Sequence, residues 1–428
     1  MAAFKPTNYK LMNVSTGRVF EDEGWTMADP QSDRPSLVRA IYENKKFTPR
    51  EDLKGLYRYA EWLPIQRVLK NSHAPVTYKS KGLAQELGLE NLYITFSGFW
   101  PKIGAKMQTC AFKETEAYSV LARLPKNGKR ILIVQSAGNT ARAFAQVCSD
   151  NNIPIAVCIP LDCIQDLWFR KPLKSCVKVL ATPHGSDYAD AITLGEKLAK
   201  NPRFMLEGGA KNVARRDGMG TTVLSAVEKI GRIPDAYFQA VGSGTGAVAA
   251  WENAERLAAD GRFGENKMRI YACQNSPCTL MHDSWKAGSR ELLPKDPEEG
   301  RREAEVILAK VLSNRKPPYS IAGGLYDVLK ASGGDMYYAT NDEIVTWIIR
   351  FFAAEGVDIL PAPASAVTGL VKAVGEGAVR SDEVIMLNIT GGGLTNAMKG
   401  GYVNKEADLV LSQDLPEEEI IAAVDKLF

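Results

Sequence analysis

The 428-residue sequence has no surplus of either charge: 53 lysines and arginines stand against 50 aspartates and glutamates, a formal net charge of +3. That balance, spread along the chain, removes the electrostatic case for a nucleic-acid or membrane-surface partner. No apolar run approaches the ~18 residues a membrane helix needs. The opening stretch MAAFKPTNYKLM lacks the basic-then-apolar order of a secretory leader. Cysteine is neither abundant nor paired. Seven are scattered at 110, 148, 158, 163, 176, 273 and 278, mostly inside apolar runs such as AVCIP, the pattern of reduced, buried thiols in a cytoplasmic protein. Metal-ligand spacing is missing too: Cys273, Cys278 and His282 form a C-x4-C-x3-H string, but no second pair follows it, and no metal is expected. Internal repeats, low-complexity tracts and flexible linkers are absent.

What is present is an ordinary globular composition, 45% hydrophobic and 24% charged, in a chain long enough for two or more domains of about 150 residues. Residues 1–90 read as irregular, with GRVFEDEGW and RPSLVRAIY as strand or turn pieces beside short helices. From 91 onward, β-rich runs (LYITF, RILIVQSA, IPIAVCIP, VKVLATP) alternate with helical stretches such as TARAFAQVCSDNN and YADAITLGEKLAK. The alternation continues after 214, through strand AYFQAVG and helix GAVAAWENAERLAAD to strand VIMLNIT and the closing helix PEEEIIAAVDKLF. A charged stretch at 294–318, PKDPEEGRREAEVILAKVLSNRKPP, interrupts it and reads as an inserted helix with polar flanks. Strands alternating with helices imply parallel sheets with crossovers. The expected fold class is α/β, two open twisted sheets with flanking helices sharing a cleft.

Four turns at strand ends stand where open α/β sheets place their ligands. QSAGNTA, 135–141, sets Ser136, Asn139 and Thr140 beside the free amides of a helix start, which suits a carboxylate, although an ordinary helix cap uses the same residues. VGSGTGAVAA, 241–250, offers Gly242, Gly244 and Gly246 with the hydroxyls of Ser243 and Thr245, a cup for a phosphate. Its rival is a dinucleotide fingerprint, weakened because the next strand ends in Gln274 and Asn275 rather than in an acid for a ribose. NITGGGLTNAMKG, 388–400, exposes backbone beside Thr390, and EGGAKN, 207–212, is a weaker fourth. Ahead of all of these, TCAFKETEAYSVLARL, 109–124, puts Lys113 at a helix start, where the dipole disfavours a cation. A lysine amine, an Asn loop, a phosphate cup and a hydroxyl beside open backbone are the parts that hold pyridoxal 5'-phosphate (PLP).

In these four stretches the sequence resembles the fold-type-II PLP enzymes, and within them the threonine synthase branch. TCAFKETEA is similar to T-G-S-F-K-D-R-G-A, SAGNTARAFA to the S-x-G-N-T asparagine loop, VGSGTGAVAA to the Gly-rich phosphate loop and NITGGGLTN to L-T-G-x-G-L-K, in the same order over roughly residues 90–400. The resemblance implies Lys113 as Schiff-base lysine and general base. It implies Asn139 at the cofactor's phenolic oxygen, Gly242, Ser243, Gly244, Thr245 and Gly246 at its phosphate, and Thr390 at its ring nitrogen. Ser136, Gly138 and Thr140 would receive the substrate carboxylate. It further implies a large domain built from 1–119 and 214–428 around a smaller one, 120–213, and a homo-oligomer. The expected reaction is a β-replacement that converts O-phospho-L-serine and sulfite to L-cysteate and phosphate through an aminoacrylate, a step of coenzyme M biosynthesis. Because both the phosphate and sulfite are anionic, Lys102, Lys106 and Arg142 are the expected cations on that side. The alternatives are the threonine synthase reaction on O-phosphohomoserine and water, and a non-catalytic PLP or amino-acid sensor. Cys110, in place of the pattern's glycine, has no sequence-level explanation.

Overall fold

Runs such as ILIVQ and IAVCIP are apolar at almost every position because both faces of a parallel sheet are covered, leaving no solvent side to alternate with. The computed structural model describes residues 4–125, 128–136 and 138–428, and in it such runs build two sheets. The larger has six strands in the order Asp335–Ala339, Arg269–Asn275, Ala236–Ala240, Val384–Ile389, Asn91–Phe96, Val76–Lys79, parallel except for the last pair. The smaller has five parallel strands, Phe204–Leu206, Ile131–Gln135, Ile155–Pro160, Val177–Thr182 and Leu409–Val410. The α/β reading with two sheets and flanking helices holds. The turns after Ile131–Gln135, Ala236–Ala240 and Val384–Ile389 all leave carboxyl ends of parallel strands.

Two parts of the chain sit differently from the sequence reading. Residues 9–42, read as irregular with strand or turn pieces at GRVFEDEGW and RPSLVRAIY, form a three-stranded antiparallel sheet with Tyr9–Asn13 between Val19–Phe20 and Val38–Tyr42, the two outer strands lying in those pieces. It docks on helix Val213–Ile230, where the Tyr42 hydroxyl donates to Asp217 at 2.6 Å and Leu11 and Val38 bury against Val213. The strand missed altogether is Tyr9–Asn13, five residues of mixed polarity with too little periodicity to be read. The second difference is at the C-terminus, which the sequence division left with the larger unit. Leu409 and Val410 pair in parallel with Leu180 and Ala181, and Ile420 and Val424 of the last helix bury against Ala191, Leu194 and Leu198. The final stretch thus completes the smaller sheet. The boundary expected at 119 falls inside helix Lys113–Arg123, whose Ala117, Tyr118, Val120 and Leu121 share one core with Phe144 and Val157.

The charged stretch at 294–318 contains the expected helix, Pro297–Val306, capped by the Asp296 side chain on the amides of Glu298 and Glu299. Beyond it the chain is tied to the large sheet: Asn341 Oδ1 accepts from Leu308 N and Asn275 Oδ1 from Ala309 N, each at 2.9 Å. Among the described residues, no helix is long and apolar enough to cross a membrane.

Ile420 is fully buried in the core of the smaller sheet. Ile420→Ala is expected to lower the unfolding free energy by about 2–4 kcal/mol, read as an earlier urea midpoint. A loss below about 0.5 kcal/mol, typical of exposed positions, would mean that the last helix does not fold with that sheet.

Candidate active site

The loop before Lys113 is stitched to the turn after Val384–Ile389. Phe112 N donates to Thr390 O at 2.9 Å, Gly392 N donates to Cys110 O at 3.0 Å, and Ala111 and Gly391 form an antiparallel bridge. Side chains would prevent this approach: a Cβ on Gly391 would stand 2.8 Å from Cys110 O, and one on Gly392 2.5 Å from Asp358 O. Cys110 itself has φ +54°, the left-handed region in which glycine is at ease and other residues are strained by about 1–2 kcal/mol. The glycine of the resembled pattern is thereby explained, although nothing in the structure accounts for a cysteine here. Its thiol is buried, and burial pushes it up to about 12, out of the range of a neutral-pH nucleophile. Glu114, in the first turn of the helix, folds back to accept from both the amide and the hydroxyl of Thr109.

Lys113 opens helix Lys113–Arg123, and its Nζ meets Glu116 Oε2 at 3.2 Å, one turn on. The other oxygen of Glu116 accepts from Thr140 Oγ1 and faces Arg215 Nη1, each at 3.0 Å. Arg215 in turn grips Glu207 through Nε at 2.9 Å and through Nη2. Burial pushes the Lys113 amine below the usual lysine range; Glu116 works against that, and the charge of Arg215 adds to it. Glu116, Arg215 and Glu207 were not anticipated as site residues. Glu207 begins EGGAKN, the weakest of the four turns, and that was the only signal for it.

Asn139 opens helix Asn139–Asn151, and its Oδ1 accepts from Arg142 Nη2 at 2.6 Å. Since an arginine can only donate, the amide is fixed with its Nδ2 donor on the other side. Among the described residues no acceptor meets that donor, nor the backbone amides of Asn139, Thr140 and Ala141. Ala137, inside the same loop, lies outside the described residues. Ser136 is buried and its Oγ accepts from Gly138 N at 3.2 Å. Arg142 is 3% exposed and stacks 4.3 Å above the Trp168 ring. It donates to carbonyl oxygens of Thr109 and Asp166, and among the described residues no carboxylate pairs with it. Burial pulls it down to about 10. Lys102 and Lys106 are exposed, on the turn Pro101–Ile103 and the short strand Ala105–Lys106. Arg170, a cation the sequence reading missed, donates to Gln108 at 2.9 Å and lies 4.5 Å over the Phe99 ring.

The glycine loop ends in helix Thr245–Asp260, with Gly244 as its N-cap at φ +77°. Ser243 and Thr245 share a hydroxyl hydrogen bond of 2.8 Å. Among the described residues no acceptor meets the amides of Ser243, Gly244 or Gly246, or the Thr390 hydroxyl. A set of unmatched donors at a helix start, an asparagine fixed as donor, a free hydroxyl and a half-buried amine together match the anionic phosphate, phenolic oxygen, ring nitrogen and aldehyde of PLP. The side-chain oxygens of Gln274 and Asn275, where a ribose acid would be expected, accept instead from His282 N and Ala309 N. Val311, from the charged insertion, bridges the two loops: its side chain would touch a Cβ on Gly138 at 3.3 Å, and its carbonyl one on Gly242 at 2.9 Å. Arg315 reaches on to Asp187, the cap of helix Tyr188–Leu198 beside the smaller sheet. The insertion is therefore a strap across the cleft.

A family profile described as "Pyridoxal-phosphate dependent enzyme" matches residues 75–391. Among curated proteins, the chain is 46% identical over 393 residues to the cysteate synthase of Methanocella paludicola, covering 91% of each chain. It is 46% identical over 410 residues to the cysteate synthase of Methanosarcina mazei, covering 96% of each. Among solved structures, serine racemase from Dictyostelium discoideum superposes with a TM-score of 0.53 at 15% identity, over 74% of this chain and 91% of that one. Threonine deaminase isoform 2 from Solanum lycopersicum does so with a TM-score of 0.53 at 17% identity, over 76% and 87%. At such identities the two structures speak for the fold alone.

Burial raises the Glu114 carboxyl from 4.5 to about 7. The folded chain therefore holds this proton more tightly than the unfolded chain, and stability falls as pH rises from about 4.5 through about 7. Glu114→Gln removes that term. Between about pH 5 and about pH 8 the wild type should lose melting temperature relative to the variant; parallel curves would count against the assignment.

Proposed function

The chain belongs to the cysteate synthases, within the pyridoxal-phosphate dependent enzymes, and from that membership we infer that it converts O-phospho-L-serine and sulfite to L-cysteate and phosphate. One observation carries the reading: identity above two in five with curated cysteate synthases along nine-tenths of the chain. A homo-oligomer in the cytoplasm is the corresponding expectation, supported by the family likeness and by seven free cysteines.

When bound at Lys113, pyridoxal 5'-phosphate supplies an electron sink for the pair left at Cα. The chain's own residues do the rest. The amides of Ser243, Gly244 and Gly246 and the hydroxyls of Ser243 and Thr245 hold the cofactor's phosphate, Asn139 Nδ2 its phenolic oxygen and Thr390 its ring nitrogen. A hydroxyl there, unlike a carboxylate, does not force a proton onto the ring, which favours elimination over transamination. Ser136, Gly138 and the amides that open helix Asn139–Asn151 seat the substrate carboxylate. Burial pushes the Lys113 amine below the usual lysine range, in the direction a general base needs. It takes the Cα proton, phosphate leaves Cβ, sulfite adds there, and the same nitrogen returns the proton. Arg142, which pairs directly with no carboxylate among the described residues, would meet the anions on that side of the cleft, with Lys102 and Lys106 exposed earlier in the chain.

The test is phosphate release from O-phospho-L-serine and from O-phosphohomoserine, each with and without sulfite. Sulfite-dependent formation of cysteate is expected, and threonine from phosphohomoserine would overturn the reading. Lys113→Ala should abolish both turnover and the visible absorption of the bound cofactor.

A further inference from the structure

Glu116 is the buried ionisable group at the site that the reaction above leaves without work. Its residue is 0% exposed, a placement that costs a lone carboxylate several kcal/mol. The resembled pattern T-G-S-F-K-D-R-G-A has glycine at the corresponding place in TCAFKETEA. Each of its oxygens is engaged: Oε2 by Lys113 Nζ at 3.2 Å, and Oε1 by Thr140 Oγ1 and Arg215 Nη1 at 3.0 Å. Three helices thus converge on one carboxylate: the one Lys113 opens, the one Asn139 opens and Val213–Ile230. Behind Arg215 stands Glu207, itself held by Gly209 N at 2.9 Å, and Tyr188 faces the same charges from helix Tyr188–Leu198.

We propose that Glu116 is a positioning residue for the proton transfer, holding the Lys113 nitrogen at a fixed point and keeping the abstracted proton on it until Cβ has exchanged phosphate for sulfite. The proposal rests on the reading of Lys113 as general base. Two cations, Lys113 and Arg215, face two anions, Glu116 and Glu207, so the cluster is neutral only while Lys113 carries a proton. Breaking the Cα–H bond forms an N–H bond on Nζ and restores that neutrality, with the electron pair left to the cofactor. Proton abstraction is then favoured by the very charges that burial alone would oppose, and loss of the proton to water is disfavoured. Arg215, doubly matched by carboxylates, is spoken for and does not bind sulfite. The Thr140 hydroxyl donates inward to Glu116, so the backbone amides of its loop, rather than this hydroxyl, receive the substrate carboxylate.

Glu116→Gln keeps the shape and the Thr140 hydrogen bond and removes the charge. In the apoenzyme, competitive acetylation of Lys113 across pH, followed by peptide mass spectrometry, reads the amine directly. Its midpoint should fall by about one pH unit or more. In the holoenzyme the cofactor's visible band should persist, while kcat drops by about tenfold or more at a nearly unchanged KM for phosphoserine. Glu116→Asp should recover part of both. Glu207→Gln, which makes the cluster more positive at one remove, should lower the midpoint by less, and it carries the test if the Glu116 variants fail to fold. An unchanged midpoint in Glu116→Gln, or in Glu207→Gln where that variant carries the test, overturns the proposal. Wild-type protein that makes no cysteate overturns the functional reading instead, and the acetylation midpoints still decide the role of Glu116.

Discussion

The site depends on two backbone hydrogen bonds, Phe112 N to Thr390 O and Gly392 N to Cys110 O. They join the start of one helix to the end of a strand in the larger sheet, nearly three hundred residues later in the chain, and so place the Lys113 amine and the Thr390 hydroxyl in one cleft. Backbone can approach backbone this closely only where side chains are absent or bent aside, which accounts for the glycines at 391 and 392 and for the left-handed turn at Cys110. Thr109 and Glu114 close the same loop from the other side, so that four consecutive residues before Lys113 are all held by hydrogen bonds. A cysteine in the left-handed region is the strained member of that arrangement, and its buried contacts and the flanking bonds must outweigh the strain.

Electrostatics then divides the cleft. On the Lys113 side, Glu116 and Glu207 cancel Lys113 and Arg215 inside a buried cluster. On the Asn139 side, Arg142 is buried against carbonyl oxygens and an aromatic ring, and among the described residues no carboxylate pairs with it directly, although the charges of Asp166 and Glu114 act on it from farther away. On the proposed reaction, a substrate that brings one carboxylate and one phosphate, and a nucleophile that is itself an anion, would meet this cation on the second side. The first side is left to hold a proton.

The parts of this legible in the sequence were those with local chemistry. Lys113 at a helix start breaks the rule that the dipole disfavours a cation there, while the glycines after an apolar strand and Asn139 at the start of a helix are ordinary singly and informative only together with it. The two parallel sheets were legible because fully buried strands are written as unbroken apolar runs. The rest depended on partners distant in sequence. Leu409–Val410 is too short to show periodicity and becomes a strand only by pairing with Leu180 and Ala181. Glu116 reads as an ordinary acid in the first turn of a helix, favoured there by the dipole. Only the meeting of three helices reveals that it is buried and matched by Arg215.

The strap at 307–318 shows the same limit and adds a constraint on how the cleft works. Its charge and proline content mark it as an insertion, which suggests a loop held away from the chemistry. Instead its path is fixed at both ends, by Asn275 and Asn341 on the larger sheet and by Arg315 on Asp187 beside the smaller one. Between those anchors Val311 lies over Gly138 and Gly242, the glycines of the two ligand turns. Glycine at 242 therefore has a packing reason of its own, since a side chain there would press on the strap's backbone, while at 138 the contact is only with the Val311 side chain. Because the strap crosses from one sheet to the other, any opening of the cleft must break the Arg315–Asp187 pair or carry the strap with it. The pair is only partly buried, and such pairs contribute about 1 kcal/mol or less when exposed. The strap is thus tied by hydrogen bonds on its amides at its larger-sheet end and by a partly buried ion pair at the other.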